Sequence, residues 1–595
     1  MKKVLFTGIL VLAVYALVCG QPNRRQFAYE LREGDPRPKL TPPSPSPRGE
    51  EKRVGSKTTG WQPNGKIVCD TSMAWLPKIV SDGNSGAIIC WTEQYRGADS
   101  VNNADWDIYA QRVDSGGNFV WQSQGVPVCS LSGSNSTYPA MISDGRGGAI
   151  VAWEDTRGGL GYTRVFAQRM DSLGNRLWPE NGVLVCNQMS GYVELCSDGH
   201  GGAIIAYVDG RDQATTSDNI YAQRIDSAGN PVWQADGVPV CTADSIQFWP
   251  AIVNNNSNAI IAWQDYRSGN YDIYAQMIDS SGNLKWVVNG VSVHLPTGQQ
   301  EQYPKIIRNK RGGAIISWAD YSIYKTVMQS LDSNSLFIWN NTGINTLGGY
   351  NNIKPILLGG VVSNSYAAQY IDSMGNLQWG AGILLHGDTT GGQNGSTSDT
   401  LNNLFVVWDE LRSSPFYTDQ FAQKVNINGT LMWEPTGVPI CTLPYGNETY
   451  PQITDDGLGG AICTWDFYHP ESQYFTYQDI LVQRVYQNGV PGGVGNAQPS
   501  ISVQKKFNVV VYPNPFTDKL NIEYELPRAS KIIIAVSNIL GQRVKTIYEG
   551  YNKEGKHAMK WNGKDETGKR VSSGVYICTL ESSAGSFHHK LLTIK

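Results

Sequence analysis

One segment of about 55 residues recurs along most of the chain, and its period limits the fold more than any other feature. Its landmark is the tryptophan that ends the pattern D-S-x-G-N-x-x-W or a variant of it. The landmark positions are Trp121, Trp178, Trp233, Trp286, Trp339, Trp379 and Trp433, and Trp61 opens the series without the preceding half of the pattern. Successive landmarks are 60, 57, 55, 53, 53, 40 and 54 residues apart. A fixed period with one short copy predicts a closed or stacked repeat architecture.

Each copy contains four candidate strands. Tyr138 to Asp144 is a typical first strand, and Ala149 to Trp153 is a typical second strand. Ile220 to Ile225, I-Y-A-Q-R-I, alternates as a third strand, and the fourth strand ends in G-V-P-V-C at Cys241. Glycine-rich turns separate the first strand from the second and the third from the fourth. This pattern predicts antiparallel four-stranded units, and the 64 glycines and 18 tryptophans of the chain agree with an all-β fold.

Four-stranded units at this spacing predict a β-propeller over residues 61–490. The second-strand motif or a remnant of it occurs eight times. The last copy loses its fourth strand after Gln487, whereas Trp61 to Cys69 is a fourth strand without a preceding unit. We therefore expect the segment 61–69 to complete the last unit and close eight blades. Seven blades is the alternative if the short copy, Ile353 to Trp379, is degenerate.

The first 60 residues contain two further segments. Residues 1–20 combine two lysines with an apolar run and predict a secretory signal peptide. Cys19 leaves a lipoprotein alternative, which the valine before it disfavours. Residues 21–60 are charged and proline-rich, and predict a disordered arm. No later apolar run is long enough for a transmembrane helix, and a net charge of -4 with scattered lysine and arginine does not favour nucleic acid as a partner.

The repeat stops before a linker at 491–505, and residues 506–595 have a different composition with alternating strands that predict a small Ig-like β-sandwich. This segment contains Y-P-N-P-F from Tyr512, L-G-Q-R-V, S-G-V-Y and a final K-L-L-T-I-K. The motif positions are Tyr512, Pro513, Asn514, Pro515, Gly541, Gly574, Tyr576, Lys590 and Lys595. Together they resemble the type A C-terminal sorting domain of type IX secretion cargo, and are similar to the Ig-like module of flagellar hook-capping proteins. The resemblance implies the type IX machinery as a partner, and a secreted or outer cell surface location.

An acid and an arginine two residues apart follow the second strand of several copies. These candidate binding residues are Asp155, Arg157, Asp209, Arg211, Asp265, Arg267, Glu410 and Arg412. Such a pair can hold a carbohydrate or a carboxylate through the planar guanidinium. A catalytic site requires unlike residues at one place, however, so a pair that recurs in most copies favours a repeated structural brace. We assign no catalytic residue.

No metal or cofactor motif is present in the sequence. Calcium on the Asp-rich turns is conceivable, but D-S-x-G-N is also what a tight hairpin requires. The cysteines lack a C-x-x-C pattern, and most occur at equivalent positions of different copies. A disulfide between Cys69 and Cys463 is the pairing that the proposed ring closure allows.

These features predict a secreted binding or adhesion protein without catalytic activity. Its ligand is a glycan, a protein or a surface, held by the variable loops that follow the second and fourth strands. The trimmed loop of the short copy is a place to look for that ligand. The alternative is a secreted glycan-acting enzyme, a glycosidase or lyase, because paired carboxylates carry no fixed local motif.

Overall fold

The structure is a computed structural model of the 595-residue chain. It describes residues 60–69, 73–94, 105–157, 159, 161–256, 258–295, 298–348, 352–356, 359–363, 366–386, 392, 394–412, 417–443, 446–468, 478–493, 508–526, 530–538, 542–553, 555–582 and 585–593. The chain divides into two compact units, Met1–Val494 and Gly495–Lys595. The predicted signal peptide and proline-rich arm lie outside the described residues.

The described part of the first unit is all-β and consists of four-stranded sheets. We number the sheets 1 to 8 in chain order. The strand β1 (Lys66–Cys69) precedes them. Sheet 1 contains β2 (Met73–Ser81), β3 (Ala87–Gln94), β4 (Trp106–Val113) and β5 (Val126–Cys129). Sheet 2 contains β6 (Ser136–Ser143), β7 (Ala149–Asp155), β8 (Arg164–Met170) and β9 (Val183–Cys186). Sheet 3 contains β10 (Ser190–Ser197), β11 (Ala203–Asp209), β12 (Asn219–Ile225) and β13 (Val238–Cys241).

Sheets 4 to 8 repeat this order. Sheet 4 contains β14 (Gln247–Asn255), β15 (Asn258–Asp265), β16 (Asp272–Asp279) and β17 (Val291–Ser292). Sheet 5 contains β18 (Glu301–Arg308), β19 (Ala314–Asp320), β20 (Lys325–Leu331) and β21 (Ile344–Gly348). Sheet 6 contains β22 (Asn352–Ile356), β23 (Gly359–Ser363), β24 (Ala367–Ile371) and β25 (Ile383–Leu384). Sheet 7 contains β26 (Asn394–Ser398), β27 (Leu404–Glu410), β28 (Asp419–Val425) and β29 (Val438–Cys441). Sheet 8 contains β30 (Asn447–Asp455), β31 (Ala461–Tyr468) and β32 (Gln478–Val485).

Each sheet is an antiparallel meander, and its apolar second strand lies between two neighbours. In sheet 3, for example, β11 pairs with β10 on one side and with β12 on the other. All seven residues of β11 are buried, because neighbouring sheets cover both of its faces. The tight turns lie at one end of every sheet, here called the turn face. The connections between second and third strands, and between successive sheets, lie at the other end, here called the loop face.

The sheets follow one another in a closed order. The first strand of each sheet contacts the first strand of the next, from β2 through β6, β10, β14, β18, β22 and β26 to β30, and β30 contacts β2. Sheet 8 obtains its fourth strand from the other end of the repeats, since β1 pairs antiparallel with β32. A single parallel bridge, Met73 to Gln478, also joins sheets 1 and 8. The segment predicted to complete the last unit therefore pairs with it.

The landmark tryptophans bind each sheet to the next. Each indole N–H donates a hydrogen bond to a backbone carbonyl in the turn after the third strand of the following sheet. The pairs are Trp61–Ser115, Trp121–Ser172, Trp178–Ser227, Trp233–Ser280, Trp286–Ser333, Trp339–Ser373, Trp379–Ile427 and Trp433–Gln487, at 2.9 to 3.2 Å. Trp61, which comes before β1, makes the same bond from sheet 8 to sheet 1. The repeated tryptophan thus has a structural role on the turn face.

The second unit contains two sheets around one hydrophobic core. The strands are β33 (Asn508–Tyr512), β34 (Leu520–Leu526), β35 (Ser530–Asn538), β36 (Arg543–Asn552), β37 (Gly555–Trp561), β38 (Gly574–Ser582) and β39 (Gly585–Thr593). One sheet has the order β33-β34-β37 and the other has the order β36-β35-β38-β39. Phe516 and Trp561 pack against each other in the core, with ring centroids 5.3 Å apart.

The disulfide between Cys69 and Cys463, which the ring closure would allow, is not formed in the structure. Both cysteines are buried thiols, as are the other described cysteines. The Sγ atom of Cys69 lies 3.2 Å from a carboxylate oxygen of Glu93 in sheet 1. Cys463 lies on β31, opposite Ile453 of β30 and Gln483 of β32, within sheet 8. The fourth-strand cysteine therefore packs against the next sheet and not within its own.

Candidate functional site

The turn face is occupied by internal hydrogen bonds. Arg112 contacts the carboxylate of Asp82 in the first turn of sheet 1 and the carbonyl of Ser172 in sheet 2. In the other type of turn, Asp226 Oδ1 accepts hydrogen bonds from the backbone N–H groups of Ala228 and Asn230. These bonds hold the pKa of Asp226 below its ordinary value. The turn carboxylates that made calcium conceivable thus serve to cap the turns.

The predicted acid and arginine pairs lie at the loop-face end of the second strands, where each pair forms an ion pair. The partners are Asp155 with Arg157, Asp209 with Arg211, Asp265 with Arg267, and Glu410 with Arg412, at N–O distances of 2.5 to 2.7 Å. The carboxylates are buried, whereas the arginine side chains remain between 16% and 31% exposed. Within each ion pair, the arginine side chain is therefore the part that a ligand could reach, and the carboxylate is not.

The pair in sheet 4, Asp265 with Arg267, is an example of the surroundings of these acids. Asp265 Oδ2 accepts a hydrogen bond of 2.8 Å from Trp263 Nε1. The Arg267 guanidinium stacks 3.9 Å above the Tyr274 ring and contacts the Sγ atom of Cys241, which belongs to sheet 3. In sheet 2, burial alone would raise the pKa of Asp155, but hydrogen bonds from its arginine and from a serine hold the pKa below its ordinary value. The geometry is that of a brace between neighbouring sheets.

Two histidines take the place of the cysteine in this brace. His294 ends the fourth-strand segment of sheet 4, where it contacts Glu301, and its ring lies 5.1 Å from that of Trp318. His386 takes the same position in sheet 6 and stacks on Trp408 at 4.8 Å. Sequence reasoning missed both histidines. The aligned segments G-V-S-V-H and G-I-L-L-H carry the signal, because histidine there replaces the cysteine of G-V-P-V-C.

A second repeated feature of the loop face involves strained backbone. Six first strands contain a residue with a positive φ angle of 53° to 57° at a β-bulge near the loop face. These residues are Leu76, Tyr138, Tyr192, Trp249, Tyr303 and Tyr450. In sheet 2, for example, the register shifts between Thr137 and Ala140. A bulky residue in the left-handed region is strained, and such strain is concentrated at sites where a side chain must be aimed in one direction.

The bulges bring aromatic rings of neighbouring sheets together. We call Trp75, Tyr138, Tyr192, Trp249 and Tyr303 the aromatic arc. Ring centroids of the arc lie 5.7 Å apart between sheets 1 and 2, 5.0 Å between sheets 3 and 4, and 5.2 Å between sheets 4 and 5. All five side chains are half-buried, so each retains exposed ring surface.

Buried polar groups of the preceding sheet support the bulges. Glu154 Oε1 accepts a hydrogen bond of 2.8 Å from the backbone N–H of Tyr192, and Gln264 Oε1 accepts one of 3.2 Å from that of Tyr303. Asp466 Oδ2 accepts a hydrogen bond from the backbone N–H of Leu76 across the seam between sheets 8 and 1. Burial raises the pKa of Asp466 well above its ordinary value. The strained conformation is therefore fixed from outside the strand that contains it.

The arc ends in two lysines. Lys354 on β22 precedes a proline, as Tyr303 does on β18, and so aligns in sequence with the aromatic residue, although β22 pairs with β23 without a bulge. Lys305 is exposed on β18, two residues after Tyr303, and β18 contacts β22. Sheet 6 is also the short copy with the trimmed loop, where β23 ends at Ser363 and β24 begins at Ala367.

The sorting motif holds the two ends of the second unit together. Asn514 Nδ2 donates a hydrogen bond of 2.7 Å to the carbonyl of Lys590, and Asn514 Oδ1 accepts one from the backbone N–H of Leu592. The Tyr576 hydroxyl donates to the carbonyl of Ser572. Tyr512, Pro513 and Pro515 flank Asn514, and Gly574 begins β38. Gly541 and Lys595 lie outside the described residues.

Comparison with solved structures gives only weak similarities for the repeats. A protein of unknown function from Dyadobacter fermentans has 9% identity and a TM-score of 0.35, with 71% of this chain and 96% of that chain covered. The alpha-L-arabinanase of Penicillium chrysogenum has 12% identity and a TM-score of 0.33, with 58% and 92% covered. A puromycin-hydrolyzing peptidase of Mycobacterium tuberculosis has 11% identity and a TM-score of 0.36, with 78% and 61% covered. Similarity at this level carries no information on activity.

No curated protein matches the chain. Within the residues that the structure describes, no helix is long and apolar enough to cross a membrane. Residues 510–595 match the family described as secretion system C-terminal sorting domain, as the motifs from Tyr512 onward predict. This C-terminal segment is therefore a type IX secretion sorting domain.

Proposed function

We propose that the first unit is an eight-bladed β-propeller and that the second is an Ig-like sandwich. The eight sheets, the closed order of their first strands and the pairing of β1 with β32 support the blade number. The two sheets around one core support the sandwich. The type IX sorting domain implies export to the cell exterior or outer surface. Entry into the periplasm through the signal peptide of residues 1–20 is part of the same proposal.

We propose further that the protein is a non-catalytic carbohydrate-binding protein, and that the aromatic arc is its binding site. The observation that carries this proposal is the strained bulge near the loop face, beside which half-buried tyrosine and tryptophan rings of neighbouring sheets contact each other. Sugar rings have apolar C–H faces that stack on aromatic side chains. Tyrosine and tryptophan also lose little conformational entropy on binding, and each offers a polar group to a hydroxyl.

The alternative is a glycan-acting enzyme. It requires a protonated carboxylic acid within reach of the glycosidic oxygen, with a second carboxylate on the other side of the bond. Asp466 has the raised pKa that suits a general acid, but its side chain is completely buried and bonded to the backbone of Leu76. The four braced acids are all paired with arginine, and Asp155, Asp265 and Glu410 also accept a hydrogen bond from a tryptophan. The geometry thus favours binding over hydrolysis.

The test is a glycan array followed by calorimetric titration of the best glycan. The substitution Trp249→Ala is expected to weaken binding roughly tenfold or more, because Trp249 contacts both neighbouring rings of the arc. Tyr551→Ala is the matched control, since Tyr551 is an exposed aromatic of the second unit. An unchanged melting temperature would show that the Trp249 variant remains folded.

Two outcomes would contradict this proposal. Equal affinity of the wild-type protein and the folded Trp249→Ala variant would exclude the arc as the binding site. Release of sugars from a panel of glycosides, abolished by an acid-to-amide substitution such as Asp466→Asn, would establish the enzyme in place of the binding protein.

A further inference from the structure

The two lysines at the end of the arc lack a carboxylate partner within the described residues. Neither Lys305 nor Lys354 forms an ion pair there, although most other cations of the loop face are paired with an acid. Two like charges on adjacent strands repel each other, and the loss of hydration on burial adds to that cost. Both effects lower the pKa of Lys354 to about 8, burial more than the charge of Lys305. A structure that keeps such a pair without a counter-ion is suited to receive an anion from outside.

The sequence positions place this pair in the arc and not elsewhere on the surface. Lys354 precedes Pro355 as Tyr303 precedes Pro304, although β22 pairs with β23 without a bulge there, and Lys305 comes from the strand that contributes Tyr303. A sugar stacked on the last ring of the arc would therefore be followed by two ammonium groups. The connection between β23 and β24, residues 364–366, is the shortest of the eight connections between second and third strands.

The charge at the position of Lys305 in the first strands differs between sheets. In sheet 1 the position holds Lys78, which interacts electrostatically with Asp466. Glu194 is exposed on β10 at the position that Lys305 occupies on β18, two residues after the bulge residue. An anion at sheet 3 would be repelled by Glu194, whereas an anion at sheets 5 and 6 would be attracted. An oligosaccharide that carries a charge on every sugar fits this pattern less well than an oligosaccharide with one charged terminal sugar.

We propose that the ligand is an oligosaccharide that ends in a carboxylate-bearing sugar, whose carboxylate binds between Lys305 and Lys354 while neutral sugars stack on the aromatic arc. This inference rests on the carbohydrate-binding function proposed above and names the class of ligand. Ammonium groups bind a carboxylate through charge-assisted hydrogen bonds, which are stronger than bonds between neutral groups. The lysines thus determine specificity and the aromatic rings provide the stacking surface.

The experiment is a binding assay of the purified full chain on an array of matched oligosaccharides, each present with a neutral and with a carboxylate-bearing terminal sugar. The best acidic member and its neutral counterpart are then titrated against variants. Lys354→Ala and Lys305→Ala are each expected to weaken binding of the acidic member about tenfold and to leave the neutral member within about twofold. Lys310→Ala is the matched control, because Lys310 is exposed in a turn of sheet 5 on the turn face.

The outcomes separate the two proposals. A preference for the acidic member that disappears in the lysine variants supports the carboxylate site. Equal or stronger binding of the neutral member by the wild-type protein would overturn it while the carbohydrate-binding function stands. No binding to any sugar on the array would overturn both. Melting temperatures of the variants, and retention of their neutral-sugar affinity, would separate loss of the site from loss of the fold.

Discussion

At the scale of single residues, one buried glutamate makes the stability of the repeats depend on pH. The side chain of Glu448 is 1% exposed on β30 and lies close to Cys441 and Asp419. Burial, more than the neighbouring acid, raises the pKa of Glu448 to about 8. The folded protein therefore holds this proton up to a higher pH than the unfolded chain does.

The resulting prediction concerns melting temperature as a function of pH. A raised carboxyl pKa contributes stability that is fully present below the unfolded-state value of about 4.3, and that contribution is lost as the pH rises through 8. We expect the substitution Glu448→Gln to remove part of the decline in melting temperature between pH 5 and pH 9. Parallel curves for the variant and the wild-type protein would contradict the assignment of this decline to Glu448.

Single residues also show which parts of the site the sequence predicts. The acid and arginine pairs are visible because they recur at a fixed offset, and recurrence itself indicates a brace. The aromatic arc is not visible in this way. A residue before proline is normally extended, so Tyr138 and Tyr303 would be expected to continue their strands. For Tyr303, a hydrogen bond from its backbone N–H to Gln264, which is distant in sequence, supports the left-handed conformation instead.

At the scale of elements, the loss of strand β1 is expected to have the largest effect on the stability of the first unit. It is the outer strand of sheet 8, and Trp61 beside it carries the bond from sheet 8 to sheet 1. Gln483 Nε2 donates a further hydrogen bond of 2.7 Å to the carbonyl of Gln62. Without this segment β32 has an unpaired edge, and the order of the sheets is open between 8 and 1.

A chain that begins at Asp70, and so lacks residues 61–69, is therefore expected to have a lower melting temperature of the whole first unit, as measured by circular dichroism. A chain that begins at Gly60 is the matched control, because it lacks the same preceding residues but keeps β1. We expect the control to melt as the full chain does. If the deleted chain melts at the same temperature as the control, β1 does not stabilise the closed arrangement.

Element boundaries were well determined by the sequence wherever the repeat is regular. The motif A-I-I-A-W coincides with a fully buried second strand, because only such a strand is covered on both faces. The histidine substitutions in sheets 4 and 6 were missed, since a single histidine at a strand end gives no periodic signal. The partners of the cysteines were missed for a related reason: they belong to the next sheet, and sequence alone does not give the distance across that interface.

At the scale of the whole molecule, the sorting domain provides the clearest test of location. Deletion of residues 506–595 removes the segment that matches the sorting family and is expected to retain the chain in the periplasm. Cell fractionation and digestion of intact cells with an external protease would measure the outcome. As a control, the same 90 residues fused to a periplasmic reporter should carry the reporter to the surface. Unchanged surface delivery of the deleted chain would contradict the prediction.

The pairing of β1 with β32 has a consequence for synthesis. The strand made first must wait for a partner more than 400 residues later, and the sorting domain is made after both. A product that stops early cannot complete its last sheet, and it also lacks the segment that directs it outward. An incomplete chain is therefore expected to lack both the closed order of sheets and the sorting domain, so the order of the chain favours the export of complete molecules.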